Sequence, residues 1–413
     1  MTIGEPSRMT PLATVLDSLA EEAHALLPWI GAHRRHLHRH PELSFHEEKT
    51  SAYLRGVVRD MGLEPSEPLP GRQGFHVELI SPRNPSEFII LRADIDALPI
   101  QEQNEVEFRS ENPGVGHLCG HDVHSSMLLG AMRLLKDRAA EMPVSVRFIF
   151  QHAEEVAPGG AKDFVEAGLV RDVIGCFGIH VSPRVPIGCF GLRVGETMAG
   201  VGSFSATIRG RGGHAAGPHE TVDPMPAAAA SVLALQQIVS RRLPPTEPAV
   251  VSVTYIEGGK AFNVIPEEVR FGGTFRTFVP GRGQQIAQMI QDVVQHTAHS
   301  YNCEAEVEPL VSYPPLLNNE EAIGAARETL TGLFGPQSCV DIAMAMGGED
   351  FSYFALERPS AFVFLGVLPD GDPFRPLHHP QFLPEESVIW RGSAFLAGIP
   401  FVAPDHLPKA GEA

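Results

Sequence analysis

Hydrophobic and polar positions along the chain fall into two rhythms. Between residues 15 and 40, Leu16, Leu19, Ala23, Leu26, Leu27 and Ile30 recur at helical spacing. They predict one amphipathic helix, which Pro28 is placed to kink or divide and Pro41 to end. Four later runs are apolar almost throughout: FIILRAD (88–94), VSVRFIFQ (144–151), VIGCFGIH (173–180) and SAFVFLG (360–366). That is the pattern of strands covered on both faces. HSSMLLGAMRLLKD (124–137) and GAKDFVEAGL (160–169) lie between them and read as helices. Alternation of this kind predicts an α/β fold, a mostly parallel sheet covered by helices.

The middle of the chain has the second rhythm. VGSFSATIRG (201–210) alternates like a strand with one exposed face. PMPAAAASVLALQQIVSRR (224–242) predicts a helix with Asp223 as N-cap and Pro224 at its first position. VVSVTYIEG (250–258) and VRFGGTFRTF (269–278) read as strands, QQIAQMIQDVVQHTAHSY (284–301) as a helix and AEVEPL (305–310) as a strand. The order βαββαβ is the ferredoxin-like α+β pattern. We therefore expect an inserted domain at 195–310 and a discontinuous α/β domain at 1–194 and 311–413. The length of 413 residues accommodates this at roughly 100–200 residues per domain.

Composition narrows the function classes. Asp plus Glu outnumber Lys plus Arg by 50 to 32, for a formal charge of −18. So acidic a surface argues against nucleic acid and anionic membrane as partners. No stretch approaches the ~18 apolar residues of a membrane helix. The first residues lack the basic start and apolar core of a secretory signal. The cysteines number 5, odd and scattered, which predicts a reducing compartment and a cytoplasmic protein. Against them stand 19 histidines, and histidine is the commonest metal ligand.

HLCGHD (117–122) is the strongest local signal. Cys119 and His121 lie two apart, so an extended segment points both to one side, as a thiolate and an imidazole able to hold a transition metal. The alternative is a buried Cys beside a helix-capping Asp122. QHAEE (151–155) follows an apolar strand. Adjacent carboxylates repel, so Glu154 and Glu155 need a cation or solvent to stay ionised together. One can hold metal while the other takes a proton from water; two solvated loop glutamates are the plainer alternative. His180 ends a predicted strand and His378 sits in PLHHP.

Position ties these candidates together. Asp94, Cys119, His121, Glu154, Glu155, His180 and His378 all fall at or after the carboxyl ends of predicted strands, where open α/β sheets bind ligands. One Cys, three His and one Glu exceed the three protein ligands typical of one catalytic zinc. Two metals sharing a bridging ligand fit better, with Glu154 left as base. In the inserted segment, His214 follows a glycine-rich turn, Asn263 lies in GGKAFNVIP and Arg276 in TFRTF. An imidazole, an amide and a guanidinium can bind a carboxylate or a developing oxyanion. No G-x-G-x-x-G follows the first strands, which disfavours a nucleotide-binding oxidoreductase.

Nine segments in order carry a family resemblance: RRHLHRHPELSFHEE (34–48), LRADIDALPI (91–100), HLCGHDVHSSMLLGA (117–131), FIFQHAEEVAPGGA (148–161), GIHVSP (178–183), RGRGGHAAGPH (209–219), GGKAFNVIPE (258–267), MGGEDFSYF (346–354) and LHHP (377–380). The chain resembles the M20 metallopeptidase family, in its amidohydrolase branch of hippurate hydrolases, N-acyl-amino-acid amidohydrolases and plant auxin-conjugate hydrolases. The resemblance implies two divalent metal ions held by Cys119, His121, Glu155, His180 and His378, with Cys119 in the bridging position. It implies Glu154 as general base and His214 as an oxyanion donor supplied across a homodimer by a lid domain. It implies Asn263 and Arg276 near a substrate carboxylate. Asp94 matches an acid that orients a histidine ligand, yet Arg92 stands where that histidine would be. His152 replaces a usual Pro and sits two residues from the base, where it is placed to alter its pKa or the loop shape.

The implied reaction is metal-dependent hydrolysis of an N-acyl amino acid, a small molecule, to a carboxylate and a free amino acid. A dipeptidase or aminopeptidase of the same family is the alternative; a non-enzymatic binding protein would lack the base or ligands, and none is missing. The ligand set accepts zinc, manganese, cobalt or nickel. His33, His36, His38 and His40 are expected to end a helix beside the site rather than to bind metal.

Overall fold

The computed structural model describes residues 11–410, which form two compact units. The first comprises the chain up to Gly195, Leu317–Ala343 and Tyr353 onward. Its centre is a seven-stranded sheet in the order Phe75–Leu79, Ser145–Gln151, Phe88–Asp94, Val173–Ser182, Ser360–Gly366, Phe190–Leu192 and Cys339–Asp341. The four central strands run parallel to one another. Phe75–Leu79 is antiparallel to Ser145–Gln151, as is Phe190–Leu192 to Ser360–Gly366. Every residue of Phe88–Asp94 and Ser145–Gln151 is buried, as their continuous apolar runs require of strands covered on both faces. The expected mostly parallel α/β architecture is therefore present.

Helix His121–Leu135 packs between helices Leu27–Arg39 and Ile389–Val402 and strand Phe88–Asp94. All but one of its residues are buried, so it is covered on every side, as a core helix must be. The single helix expected over 15–40 is two, Leu12–Ala25 and Leu27–Arg39, divided at Leu26, with Pro28 in the first turn of the second. Proline lacks the N–H that this turn leaves unbonded, so it starts a helix without cost.

The second unit comprises Glu196–Leu316 and Met344–Ser352. Its antiparallel sheet runs Glu304–Tyr313, Gly200–Arg209, Glu268–Thr277, Ala249–Gly258. With helices Pro224–Leu235 and Arg282–Ser300, the chain order is βαββαβ. One sheet face, carrying Phe204, Ala206, Ile208, Phe271 and Phe275, forms a core with Ala227, Ala228, Ile286, Ile290 and Val294. Asp223 caps the first helix by accepting from the Met225 N–H at 2.9 Å. The expected segment 195–310 omits Met344–Ser352, which clusters with this unit. The reason is backbone pairing: the Ala199 N–H donates to the carbonyls of Ala345 and Gly347 at 3.1 and 3.0 Å.

A buried ionic network ties the N-terminal helices to the start of His121–Leu135. Asp122 is not a helix cap, because Gly120 holds the N-cap position and no side chain caps it. Instead Asp122 Oδ2 accepts from Arg34 Nε and His38 Nδ1, both at 2.8 Å. His38 Nε2 reaches Glu102 Oε1 at 3.0 Å, and Arg34 Nη1 reaches Glu386 Oε1 at 3.0 Å. Burial opposes a charge on His38, but Asp122 and Glu102 outweigh it and raise its pKa. His33, His36 and His40 sit half-buried on the same helix end, with the His36 ring stacked on Tyr53 and on His40.

Arg34→Leu leaves Asp122 buried with its main counter-charge removed. It is expected to cost about 3–5 kcal/mol of unfolding free energy, measured by chemical denaturation. A loss below ~1 kcal/mol would contradict this account of the network.

Candidate metal centre

Three donor groups in the first unit overlap. The ligand atoms of Cys119, His121 and His180 lie within 4.8 Å of one another; so do those of Cys119, Glu155 and His378, and those of His121, Glu154 and Glu155. Local geometry explains each placement. Cys119 and His121 do not lie in an extended segment as expected; Gly120 between them has φ +98°, and His121 opens its helix. A Cβ at Gly120 would stand 2.3 Å from Val181 Cγ2, so only glycine allows this turn. The left-handed turn brings thiol and imidazole together where the extended geometry was expected to do so.

His180 lies within strand Val173–Ser182, two residues before its end. Its Nδ1–H donates to the Val181 carbonyl at 2.7 Å, which turns Nε2 to within 3.4 Å of Cys119 Sγ. Glu154 and Glu155 follow strand Ser145–Gln151 on a loop bent by Ala153, at φ +50°. The Ala153 N–H donates to Glu47 Oε1 at 2.8 Å and the Glu155 N–H to Asp96 Oδ2 at 3.0 Å. His378 takes φ +68°, donates its N–H to the Leu118 carbonyl at 2.8 Å and places Nε2 3.2 Å from Glu155 Oε1.

The electrostatics call for a cation. Burial opposes an imidazolium at His121, yet Asp94, Asp96 and Glu155 outweigh it and lift the ring up to about 10. Burial, then the charges of Glu155 and Glu154, keep the Cys119 thiol protonated well above its usual range. His121 Nε2 is buried and has no hydrogen-bond partner. An imidazole nitrogen aimed into a nest of carboxylates and a thiol, with nothing to bond, fits the donor of a metal site. The residues fit a pair of ions: the two triads share Cys119, and each supplies the three protein ligands a catalytic metal uses.

The residues expected to play other roles are placed as follows. Asp94 Oδ1 accepts from His124 Nδ1 at 2.6 Å and Oδ2 from Arg92 at 2.7 Å, while Oδ2 lies 3.7 Å from His121 Nε2. His152 turns its ring to Asp163, 3.0 Å away, and packs beside Phe45 and Phe164, so it braces the loop. Within the second unit, His214 and Asn263 are exposed on neighbouring segments, joined by the Ala215 N–H to the Asn263 carbonyl at 3.1 Å. Arg276 is half-buried on strand Glu268–Thr277, its Nη1 donating to Thr274 and, at 2.9 Å, to the Phe275 carbonyl.

Sequence reasoning missed three supporting residues. Asp96 holds two candidate ligands: its carbonyl and Oδ1 accept from His121 Nδ1 at 2.9 and 3.2 Å, and its Oδ2 holds the Glu155 backbone. Its alternation with Asp94 in LRADIDALPI was the available signal. His124, one helical turn after His121, bonds Asp94 and carried a helix-face signal. Glu47 carried none. Burial, then the nearby Asp96, pushes its carboxyl up to about 8.

Residues 90–400 match the family described as Peptidase family M20/M25/M40. The chain is 39% identical over 380 residues to IAA-amino acid hydrolase ILR1-like 2 of Arabidopsis thaliana, covering 90% of this chain and 84% of that protein. It is 37% identical over 364 residues to the N-acetylcysteine deacetylase of Bacillus subtilis, covering 88% and 94%. A solved Bacillus subtilis structure, described as a dinuclear metal-binding peptidase of the M20 family, superposes with a TM-score of 0.80 at 33% identity, covering 92% of this chain and 99% of that one.

Metal loading must therefore displace protons, because metal ligands bind deprotonated. Adding zinc to metal-free protein near pH 7 is expected to release about two protons per subunit, from His121 and Cys119, and binding is expected to weaken as pH falls. Calorimetry in buffers of different ionisation enthalpy measures this; loading without proton release would contradict the assignment.

Proposed function

The chain belongs to peptidase family M20/M25/M40, and from that membership we propose its substrate and the part each residue plays. It is a metal-dependent hydrolase of amide bonds that takes two divalent metal ions. Its substrates are N-acyl amino acids, with acetyl, benzoyl or similar acyl groups. The observation that carries this reading is the pair of donor triads sharing Cys119, with Glu154 beside them and outside both.

Cys119, His121, Glu155, His180 and His378 would hold the metals. Bound there, divalent cations polarise a carbonyl and lower the pKa of a water at the site. Glu154 accepts a proton as the water oxygen attacks the amide carbon. It returns that proton to the amide nitrogen as the C–N bond breaks, giving a carboxylate and a free amino acid. Its carboxylate oxygen stands within 4.8 Å of a Glu155 carboxylate oxygen and a His121 ring nitrogen, close enough to serve the same water. His214 donates to the developing oxyanion, and Arg276 and Asn263 hold the substrate carboxylate. Burial lowers the Arg276 pKa while the guanidinium stays charged, which strengthens a carboxylate bond there.

A second copy of the chain supplies His214. The edge strand Ala249–Gly258 supports a dimer, with Tyr255 and Ile256 exposed on it and Phe262 and Val264 exposed nearby. An edge strand left open invites pairing with another chain. The preferred ion is zinc, given the thiol among the donors, with manganese, cobalt and nickel as alternatives. All five cysteines are free, which supports a cytoplasmic location. Among the described residues no helix is long and apolar enough to cross a membrane.

Glu154→Gln is expected to keep both metals while turnover of N-acetyl, N-benzoyl or indole-acyl amino acids falls ~10²–10⁴-fold. Wild-type turnover would remove Glu154 as base, and preference for dipeptides with a free amino terminus would select the dipeptidase reading. His214→Ala protein is expected to lose ~10²–10³-fold alone and to regain activity when mixed with Glu154→Gln protein. Absence of complementation would contradict a site shared between copies.

A further inference from the structure

Strand Phe88–Asp94 is apolar at Ile89, Ile90, Leu91 and Ala93, yet two of its buried positions carry charge. Arg92 is 2% exposed and Asp94 is fully buried. Buried charges of this kind are seldom kept for stability, because apolar residues of similar size serve as well or better. Their bonds lead in one direction. Arg92 Nε donates to Gln151 Oε1 at 2.8 Å and Nη1 to Asp94 Oδ2 at 2.7 Å. Asp94 Oδ1 accepts from His124 Nδ1 at 2.6 Å. On the far side of the ring, His124 Nε2 accepts from the Val181 N–H at 2.9 Å.

Both ring nitrogens of His124 are thereby committed, one as donor and one as acceptor. The ring is neutral and its tautomer is fixed by the two partners. Its acceptor side ends on the N–H of Val181, the residue whose carbonyl takes the Nδ1–H of His180. That N–H and that carbonyl lie in successive peptide groups, so His124 acts by position: it pins the Val181 backbone where its carbonyl meets the His180 ring. A carbonyl accepts only from a protonated nitrogen, so the His180 ring is held with Nδ1 protonated and Nε2 bare, facing Cys119 Sγ at 3.4 Å. Arg92 has a second effect. Asp94 Oδ2 lies 3.7 Å from His121 Nε2, close enough to compete for a cation, and the guanidinium occupies that oxygen.

We propose that Arg92, Asp94 and His124 form a positioning relay that fixes the orientation and tautomer of His180 as a metal ligand, while Arg92 keeps Asp94 out of the ligand set. This rests on the reading of His180 as a ligand. None of the three is a catalytic residue; they act through the backbone of Val181. Supports of this type typically change metal affinity 10–100-fold when removed.

The test is a Co(II) titration of the metal-free protein, read by the thiolate charge-transfer and ligand-field absorption bands. His124→Leu is expected to weaken the second Co(II) equivalent 10–100-fold and to lower kcat with KM little changed. His124→Gln, which offers a donor to Asp94 and an acceptor to Val181, is expected to restore both. If His124→Leu does not fold, His124→Asn carries the same test, since it is too short to span both partners. Arg92→Met is expected to alter the ligand-field bands as Asp94 gains access to the ion. A His180→Ala control separates the two claims. If it binds both equivalents like wild type, the ligand reading fails. If it weakens binding but His124→Leu or His124→Asn lowers only thermal stability, the relay is overturned and the ligand reading stands.

Discussion

Negative charge gathered at the carboxyl end of a buried parallel sheet is the constraint the first unit is built around. Asp94, Asp96 and Glu154 are all buried there, beside Glu155 and the Cys119 thiol. Carboxylates in a medium that poorly solvates charge must be paired, hydrogen-bonded or protonated. The structure uses all three remedies. Arg92 pairs with Asp94, backbone N–H groups bond Asp96 and Glu47, and Glu47 keeps its own proton near neutrality. What is left over is the field that raises His121 and holds Cys119 as a thiol. That residue of uncompensated charge suits divalent cations.

Precision at the centre comes from elements that cannot shift independently. The helix opening at His121 is locked to the N-terminal helices through Asp122, Arg34 and His38, and to the sheet through Ser125 Oγ on the Asp94 carbonyl at 2.7 Å. The Glu154–Glu155 loop is gripped by Glu47 and Asp96 from the opposite side. Loops supply most of the donors, and rigid flanks keep them from relaxing apart under their own repulsion. Catalysis by positioned groups tolerates little displacement, which gives these bonds a functional reason beyond stability.

Much of this was legible in the sequence, and the reasons differ by residue. The strands at 88–94 and 360–366 match their apolar runs to the residue, because burial on both faces keeps them apolar almost throughout. The βαββαβ order of the second unit followed from periodicity alone. Cys119, His121, Glu154, Glu155, His180 and His378 were singled out because all fall at or after the carboxyl ends of predicted strands; His180 lies inside its strand, two residues before the end. The route by which Cys119 and His121 converge was misread, since a glycine in a left-handed turn does not announce itself in spacing. Asp122 looked like a cap because its partners, Arg34 and His38, lie more than eighty residues away. Glu47 was invisible for the same reason: only the folded chain brings it to Ala153.

The claim on which the account turns is that five side chains hold two ions with Cys119 between them. Anomalous diffraction from crystals grown with zinc tests it directly. The account predicts two anomalous peaks per subunit, one within bonding distance of each donor triad and both next to Cys119 Sγ. A single peak, or peaks that leave Cys119 without a metal neighbour, would contradict it.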